Sequence, residues 1–248
     1  LDYPNSNDLN NYYPTDVMET ACEIIFFWVS RMIMLGLYIT DKVPFKNVYL
    51  HGLVLDAKGQ KMSKSKGNVI DPLNLTDKYG TDAFRMGLVI GNTPGTSLAL
   101  SEDKIRAYKN FANKLWNITR FILSSVQEEK LEKDFVDWSE VDKNLNKEFN
   151  DILIDITNDM ENFRFYLSAE KLYHYSWHNF ADIILEESKK ILKDGNVNEI
   201  KSRKQLLLHI LSKILIALHP FVPFVTEEIW SDMPIDSKKM LIVENWPV

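Results

Sequence analysis

The chain has 248 residues, 45% hydrophobic and 26% charged, with a net charge of −6; this is the profile of a soluble globular protein of one large or two ordinary domains. Its single cysteine, Cys22, excludes an intrachain disulfide and a cysteine-rich metal site and fits a reducing, cytoplasmic setting. The negative total argues against a uniformly basic nucleic-acid binder, but the basic charge is local: residues 101–125 carry five basic and two acidic side chains, and local fields steer a polyanion.

No signal-peptide pattern opens the chain, and position 1 is Leu rather than Met, so the natural N-terminus is expected upstream. Residues 2–14, rich in Asn, Asp, Tyr and Pro, predict a surface loop, and residues 16–20 a short strand. Residues 23–37 are apolar almost all round, which predicts a buried helix bracketed by Gly36 and Pro44. Ser30 and Arg31 interrupt that run, which predicts a segment too short to span a bilayer. The β-branched and aliphatic residues 47–55 predict a buried strand. Asp71-Pro72 pairs an N-cap with proline at the first helical position, so a helix opens there and stops at Gly80. Thr81 and Asp82 predict the cap of the next helix, to about residue 90, on which Asp82 and Arg85 pair locally. Residues 91–97 break the pattern and mark a domain boundary.

From Ser101 onward the pattern is almost entirely helical. Ile105, Tyr108, Phe111, Ala112, Leu115, Ile118 and Ile122 recur at spacings of three and four and predict one buried face. Arg106, Lys109, Asn113, Asn117 and Arg120 recur likewise on another face. Further helices are predicted across about 142–163, 165–193, 199–219 and 222–231, with Pro220 and Pro223 separating the last two. Residues 128–140 and 189–201 predict charged linkers.

Between the strand and the Asp71 cap lies KGQKMSKSKGN, residues 58–68. Lys58, Lys61, Lys64 and Lys66 are interleaved with Ser63, Ser65, Gly59 and Gly67. Glycine and short hydroxyl residues predict a mobile backbone whose N–H groups approach an anion closely, and lysine supplies compact ammonium charges. As composition alone this is also what a solvated loop looks like.

The string KMSKS followed by KGN resembles the signature loop of class I aminoacyl-tRNA synthetases. Four passages, at 11–37, 44–85, 92–123 and 218–230, resemble the valyl-tRNA synthetases; IIFFWVSRM and YKNFANKLWNITRF carry the likeness to the valine members. The resemblance implies an α/β plus all-α architecture: the C-terminal part of a Rossmann-like nucleotide-binding fold over residues 1–98, then a helical-bundle anticodon-binding domain over 99–248. It implies ATP-dependent ligation of valine to tRNA through a valyl-adenylate, with ATP entering as its Mg2+ complex and no tightly bound cofactor.

The same resemblance implies residue roles. Lys64 first and Lys61 second would meet the β- and γ-phosphates as pyrophosphate leaves, with Met62, Ser63 and Ser65 completing the ATP-binding loop. His51 and Gly52 would lie near the adenosine, although a histidine beside a strand also serves structure alone. Thr20 to Glu23 replaces the family's Gly-x-Asp with Ala21 and Glu23; Glu23 would bind ATP, or act only as a favourable charge at a helix N-terminus. Ile24 and Trp28, one turn apart, would wall the valine pocket or be ordinary core. Arg106, Lys109, Asn113, Asn117 and Arg120 would follow tRNA phosphates or form a solvated face. Tyr173, His174, Tyr175, Trp177 and His178 would stack on anticodon bases or, more simply, fill the bundle. None of the histidines has metal-ligand spacing.

The family's His-x-Gly-His motif, its editing domain and its C-terminal coiled coil do not occur in this sequence. The chain is therefore expected to be one piece of a larger enzyme, inactive by itself, whose partner is the N-terminal part. Without that part, residues 16–55 are expected to expose a sheet edge and apolar surface. A catalytically inactive tRNA-binding derivative and an isoleucyl or leucyl relative are the alternatives.

Overall fold

The computed structural model describes residues 4–127, 129–132, 134–236 and 239–247. They form two compact units, Leu1–Val69 with Asn92–Ala99, and Ile70–Gly91 with Leu100–Val248. Residues 70–91, grouped with the first domain by sequence, cluster with the helical unit.

The first unit opens with a short helix, α1 (Asn7–Tyr12), in the stretch predicted as loop; the Ser6 side chain caps it at Leu9 N–H. Strand β1 (Thr15–Ala21) pairs in parallel with β2 (Phe45–His51), from Thr15 opposite Phe45 to Ala21 opposite His51. Parallel neighbours need a long crossover. Here it is a tight turn at Cys22–Ile24, a π-helical turn at Ile25–Val29 and helix α2 (Ser30–Thr40).

That crossover corrects two sequence expectations. Of Cys22–Thr40 only Val29 is buried, while Phe26 is 75% and Tyr38 88% exposed. A two-stranded sheet has too little surface to cover a helix that is apolar all round, so the predicted buried helix is an exposed one, as the expected apolar surface over 16–55 requires. The stretch is also longer than the run read from sequence: 19 residues with mean hydropathy 1.7, long and apolar enough by those criteria to cross a bilayer. Its place, between two hydrogen-bonded parallel strands, is that of a sheet crossover.

The predicted strand 47–55 is two strands. After β2 the backbone breaks at Gly52 and Leu53, and β3 (Val54–Leu55) pairs in parallel with β4 (Leu98–Ala99). Residues 92–97 lie along that break: Gly95 N–H donates to Leu50 O and Leu98 N–H to Leu53 O. A Cβ on Gly52 would sit 1.4 Å from Thr96 O, so only glycine allows this approach.

In the second unit α3 (Pro72–Tyr79) begins as predicted, with Asp71 accepting from Leu73 N–H. Helix α4 (Thr81–Val89) follows without a side-chain cap. Asp82 is buried and caps a distant helix instead, accepting from Phe224 and Val225 N–H at 3.2 and 2.7 Å. Arg85 donates to Pro220 O and Phe221 O. The expected local Asp82–Arg85 pair is thus replaced by four hydrogen bonds to the segment that opens α10 (Pro223–Asp232). Desolvation holds the Asp82 carboxyl above its usual range.

The bundle itself follows the sequence periodicity. Ser101 caps α5 (Glu102–Val126), which buries Ile105, Phe111, Leu115, Ile118 and Ile122. Helix α6 (Glu140–Glu161) adds Phe149, Leu153 and Ile156. The predicted helix 165–193 is α7 (Phe165–His174), a π-helical stretch Tyr175–Ile184 and α8 (Leu185–Asp194). Helix α9 (Val197–Leu218) runs through the core, buried on nearly every side. Among its buried residues Arg203 binds Asp142 at 2.7 Å and Ser188 Oγ at 3.0 Å, while Ser202 donates to the other Asp142 oxygen.

The predicted linker 128–140 is pinned to α9, apart from residues 128 and 133, which lie outside the described residues. Gln205 accepts from Glu132 N–H and donates to Lys130 O, and Ser202 Oγ accepts from Ser139 N–H. Nearby, His209 meets the edge of Trp138 at 6.0 Å. Burial, helped by Lys213, pushes its imidazole down to about 4. A depressed base stabilises the fold where it is neutral in both states, above the unfolded value near 6.5, and that contribution is lost as pH falls through about 4. Urea unfolding of the chain should therefore lose up to about 3 kcal/mol from this one site between those limits. His209→Gln should flatten that slope; identical slopes would remove His209 as its source.

Candidate functional site

The lysine loop leaves the C-terminal end of β3 and returns as a tight, hydrogen-bonded structure. Gly59 N–H donates to Asp56 O at 2.9 Å and Asp56 N–H to Gln60 O at 3.0 Å, and Lys61 bridges back to Leu55. One Asp56 carboxylate oxygen accepts from Lys58 and Gln60 N–H at 3.0 and 2.8 Å. The other accepts from Asn68 Nδ2 at 2.9 Å, and the same Nδ2 donates to Lys61 O at 3.3 Å. Asn68 Oδ1 accepts from Ser63 N–H at 2.9 Å. The Asn68 contact first, then the Gln60 N–H, holds the Asp56 carboxyl below its usual range.

Beyond Ser63 the chain makes a single 3-10 turn, Lys64–Lys66, capped by Ser63 Oγ and ended by Gly67 at φ 66°. Gly59 is also left-handed, at φ 74°. The glycines and serines that predicted mobility are used to make turns, because only residues tolerant of positive φ or able to cap locally fit such a path. The sequence reading missed Asp56 and Asn68. Their signal was an Asp three residues before a glycine, which is turn chemistry, and an Asn closing the lysine run.

Lys61 Nζ lies 3.2 and 3.4 Å from the two oxygens of Glu23, just past the C-terminal end of β1. Lys64, Ser65 and Lys66 are exposed, and the Lys64 ammonium has no partner among the described residues. Met62 and Ser63 are half-buried. His51, at the C-terminal end of β2, has both ring nitrogens engaged: Nδ1 is 3.0 Å from Gly52 O and Nε2 3.5 Å from Glu19.

Glu23, His51 and the loop therefore each sit at or just past the C-terminal end of a parallel strand. Ile24 and Trp28 do not share an α-helical face. Ile24 is in the tight turn and Trp28 in the π-helical turn, and they are 41% and 46% exposed.

In the helical unit, Arg106, Lys109, Asn113, Asn117 and Arg120 all lie on the exposed side of α5. Arg106 pairs with Asp103 at 3.2 Å and Lys109 donates to Lys78 O. Asn113, Asn117 and Arg120 have no side-chain partner among the described residues. The aromatic group divides. Tyr175 is buried against Phe149, Tyr173 and Trp177 pack on Phe111, and His174 and His178 are exposed.

Residues 1–101 match the family model for class I tRNA synthetases (I, L, M and V), and residues 142–248 that for the anticodon-binding domain of tRNA ligases. A valine–tRNA ligase of Pelagibacter ubique is 43% identical over all of this chain, and one of Dehalococcoides mccartyi is 44% identical over 91% of it. The chain is thus similar along its length to the class I tRNA synthetases. It spans 29% and 25% of the length of those two relatives, that is, under a third. Two solved structures show the fold. A Mycobacterium tuberculosis methionyl-tRNA synthetase in complex with methionyl-adenylate has a TM-score of 0.76 at 20% identity, covering 92% of this chain and 46% of its own. An Agrobacterium radiobacter LeuRS, in a ternary complex with tRNA and LeuAMS, has a TM-score of 0.76 at 22% identity, covering 96% of this chain and 29% of its own. The class I synthetase architecture, a Rossmann-like part with small parallel sheets and a helical anticodon-binding part, is the one the resemblance implied.

Proposed function

We propose that this chain supplies the phosphate-contacting loop and the tRNA-binding helices of an enzyme that ligates valine to its tRNA. The observation that carries the reading is that Glu23, His51 and the lysine loop each lie at or just past the C-terminal end of a parallel strand, the edge where α/β sheets bind ligands. The valine carboxylate attacks the α-phosphate of ATP, which enters as its Mg2+ complex, and pyrophosphate leaves. The tRNA's terminal ribose then takes the valyl group.

Charge grows on the β- and γ-phosphates as pyrophosphate departs, and ammonium groups placed there stabilise the transition state. Lys64 is free of intramolecular partners among the described residues and is the first such group. Lys61 is the second and has to leave Glu23 to act. Met62, Ser63 and Ser65 complete the ATP-binding loop, with His51 and Gly52 beside the adenosine. Glu23 is the acidic ligand at the β1 end, and Ile24 and Trp28 face the valine side. The exposed stripe Arg106, Lys109, Asn113, Asn117 and Arg120 follows tRNA phosphates. The N-terminal part of the same enzyme covers Phe26, Phe27 and Tyr38, and the complete protein works in the cytoplasm.

The test is ATP–pyrophosphate exchange by the protein encoded by the complete reading frame, with valine, isoleucine, leucine and threonine. Valine should drive the fastest exchange. No exchange with any of the four, in a folded protein that still binds tRNA, would move the reading to an inactive tRNA-binding derivative.

A further inference from the structure

Asp56 and Asn68 stand at the two ends of the lysine loop, and no apolar side chain between them is buried. The loop is shaped by polar contacts, and those contacts converge on this pair. Asn68 grips residues 61–63 at both ends, donating to Lys61 O and accepting from Ser63 N–H, while Asp56 gathers the N–H groups of Lys58 and Gln60. Their mutual bond, at 2.9 Å, ties the outgoing and returning strands of the loop together.

We infer that Asp56 and Asn68 are positioning residues for the loop's lysines, an inference that rests on the proposed role of that loop at the ATP phosphates. A lysine side chain is long and flexible, so the place its ammonium reaches is set by the backbone that carries it. Opening the Asp56–Asn68 bond frees the bend at 61–63 and, with it, the turn that carries Lys64. Both residues are only half-buried in a surface loop, so their effect falls on the geometry of the loop and not on the stability of the fold.

The geometry also supplies a rescue. Asn68→Asp sets two carboxylates against each other. In the double variant Asp56→Asn/Asn68→Asp the new amide donates to the new carboxylate. The amide oxygen introduced at position 56 can still accept from the N–H groups of Lys58 and Gln60, and a carboxylate at position 68 can still accept from Ser63 N–H. Only the donation to Lys61 O is lost.

In the full-length protein, Asn68→Asp should lower the maximal rate of valine-dependent exchange. Displacing reacting groups by about 1 Å can cost on the order of 100-fold, so a loss of about 30-fold is expected, with the KM for valine and the melting midpoint unchanged. The double variant should recover most of the rate. Trypsin should cut at Lys58, Lys61, Lys64 and Lys66 faster in Asn68→Asp than in the wild type, and at the wild-type rate in the double variant. Asn68→Ala provides the same test should the aspartate variant fail to fold.

A single variant that keeps the wild-type rate, or a loss the double variant does not recover, overturns the proposal. A wild-type protein without exchange would count against the proposed function alone, because the tryptic pattern still reads the Asp56–Asn68 bond.

Discussion

Lys64→Ala, in the full-length protein, should lower valine-dependent ATP–pyrophosphate exchange by on the order of 100-fold, the scale of losing one preorganised group that meets charge developing in the transition state. Lys64 opens the Ser63-capped turn, and its ammonium has no partner among the described residues. Its loss therefore removes nothing from the folded ground state, and the melting midpoint should stay within experimental error. The kinetic signature should be equal losses in kcat and kcat/KM, because an interaction made only in the transition state contributes to both. A raised KM for ATP at unchanged kcat would instead make Lys64 a ground-state ligand. Lys61→Ala differs in kind, since it also leaves Glu23 without its partner at 3.2 Å.

Asp142→Ala should cause a large loss of stability in the helical unit. Arg203 and Asp142 are each 1% exposed and 2.7 Å apart. Removing the carboxylate leaves a guanidinium buried with Ser188 as its remaining side-chain partner, and breaking a buried pair in this way typically costs about 3–5 kcal/mol. Set against the 5–15 kcal/mol, roughly, that hold a domain folded, this is enough to populate the unfolded chain. Urea denaturation followed by circular dichroism measures it. Replacing both partners with apolar residues of similar volume, as in Asp142→Leu/Arg203→Met, should restore much of the loss, since the penalty comes from the unpaired charge. A single variant that loses less than about 1 kcal/mol would mean that water reaches Arg203.

The helical half of the molecule was legible because its elements bury one face each. Spacings of three and four over 105–122, the Asp71-Pro72 start and the proline pair at 220 and 223 all map onto helix faces or ends. The lysine loop was legible as a string and illegible as a shape. Asp56 and Asn68 do their work through backbone atoms two to seven residues away and through each other, and no periodicity encodes that. The run 23–37 misled for a different reason: periodicity reports that a helix is apolar all round but cannot say what covers it. Asp82 was read as a local cap because helix N-termini favour acids; its real partners, Phe224 and Val225, are 142 and 143 residues further on. The two-residue strands β3 and β4 are too short to leave any pattern in composition.

Those last distances have a consequence for how the chain is made. Helices α3 and α4 leave the ribosome well before residues 220–225, where Asp82 and Arg85 find their partners. Until that stretch has been synthesised, the carboxylate of Asp82 has to stay hydrated and the α4 surface around it stays open. Native closure of the helical unit therefore waits for residues 220–225, and until they emerge the nascent chain carries an unfinished bundle that depends on chaperones or on speed to avoid non-native association.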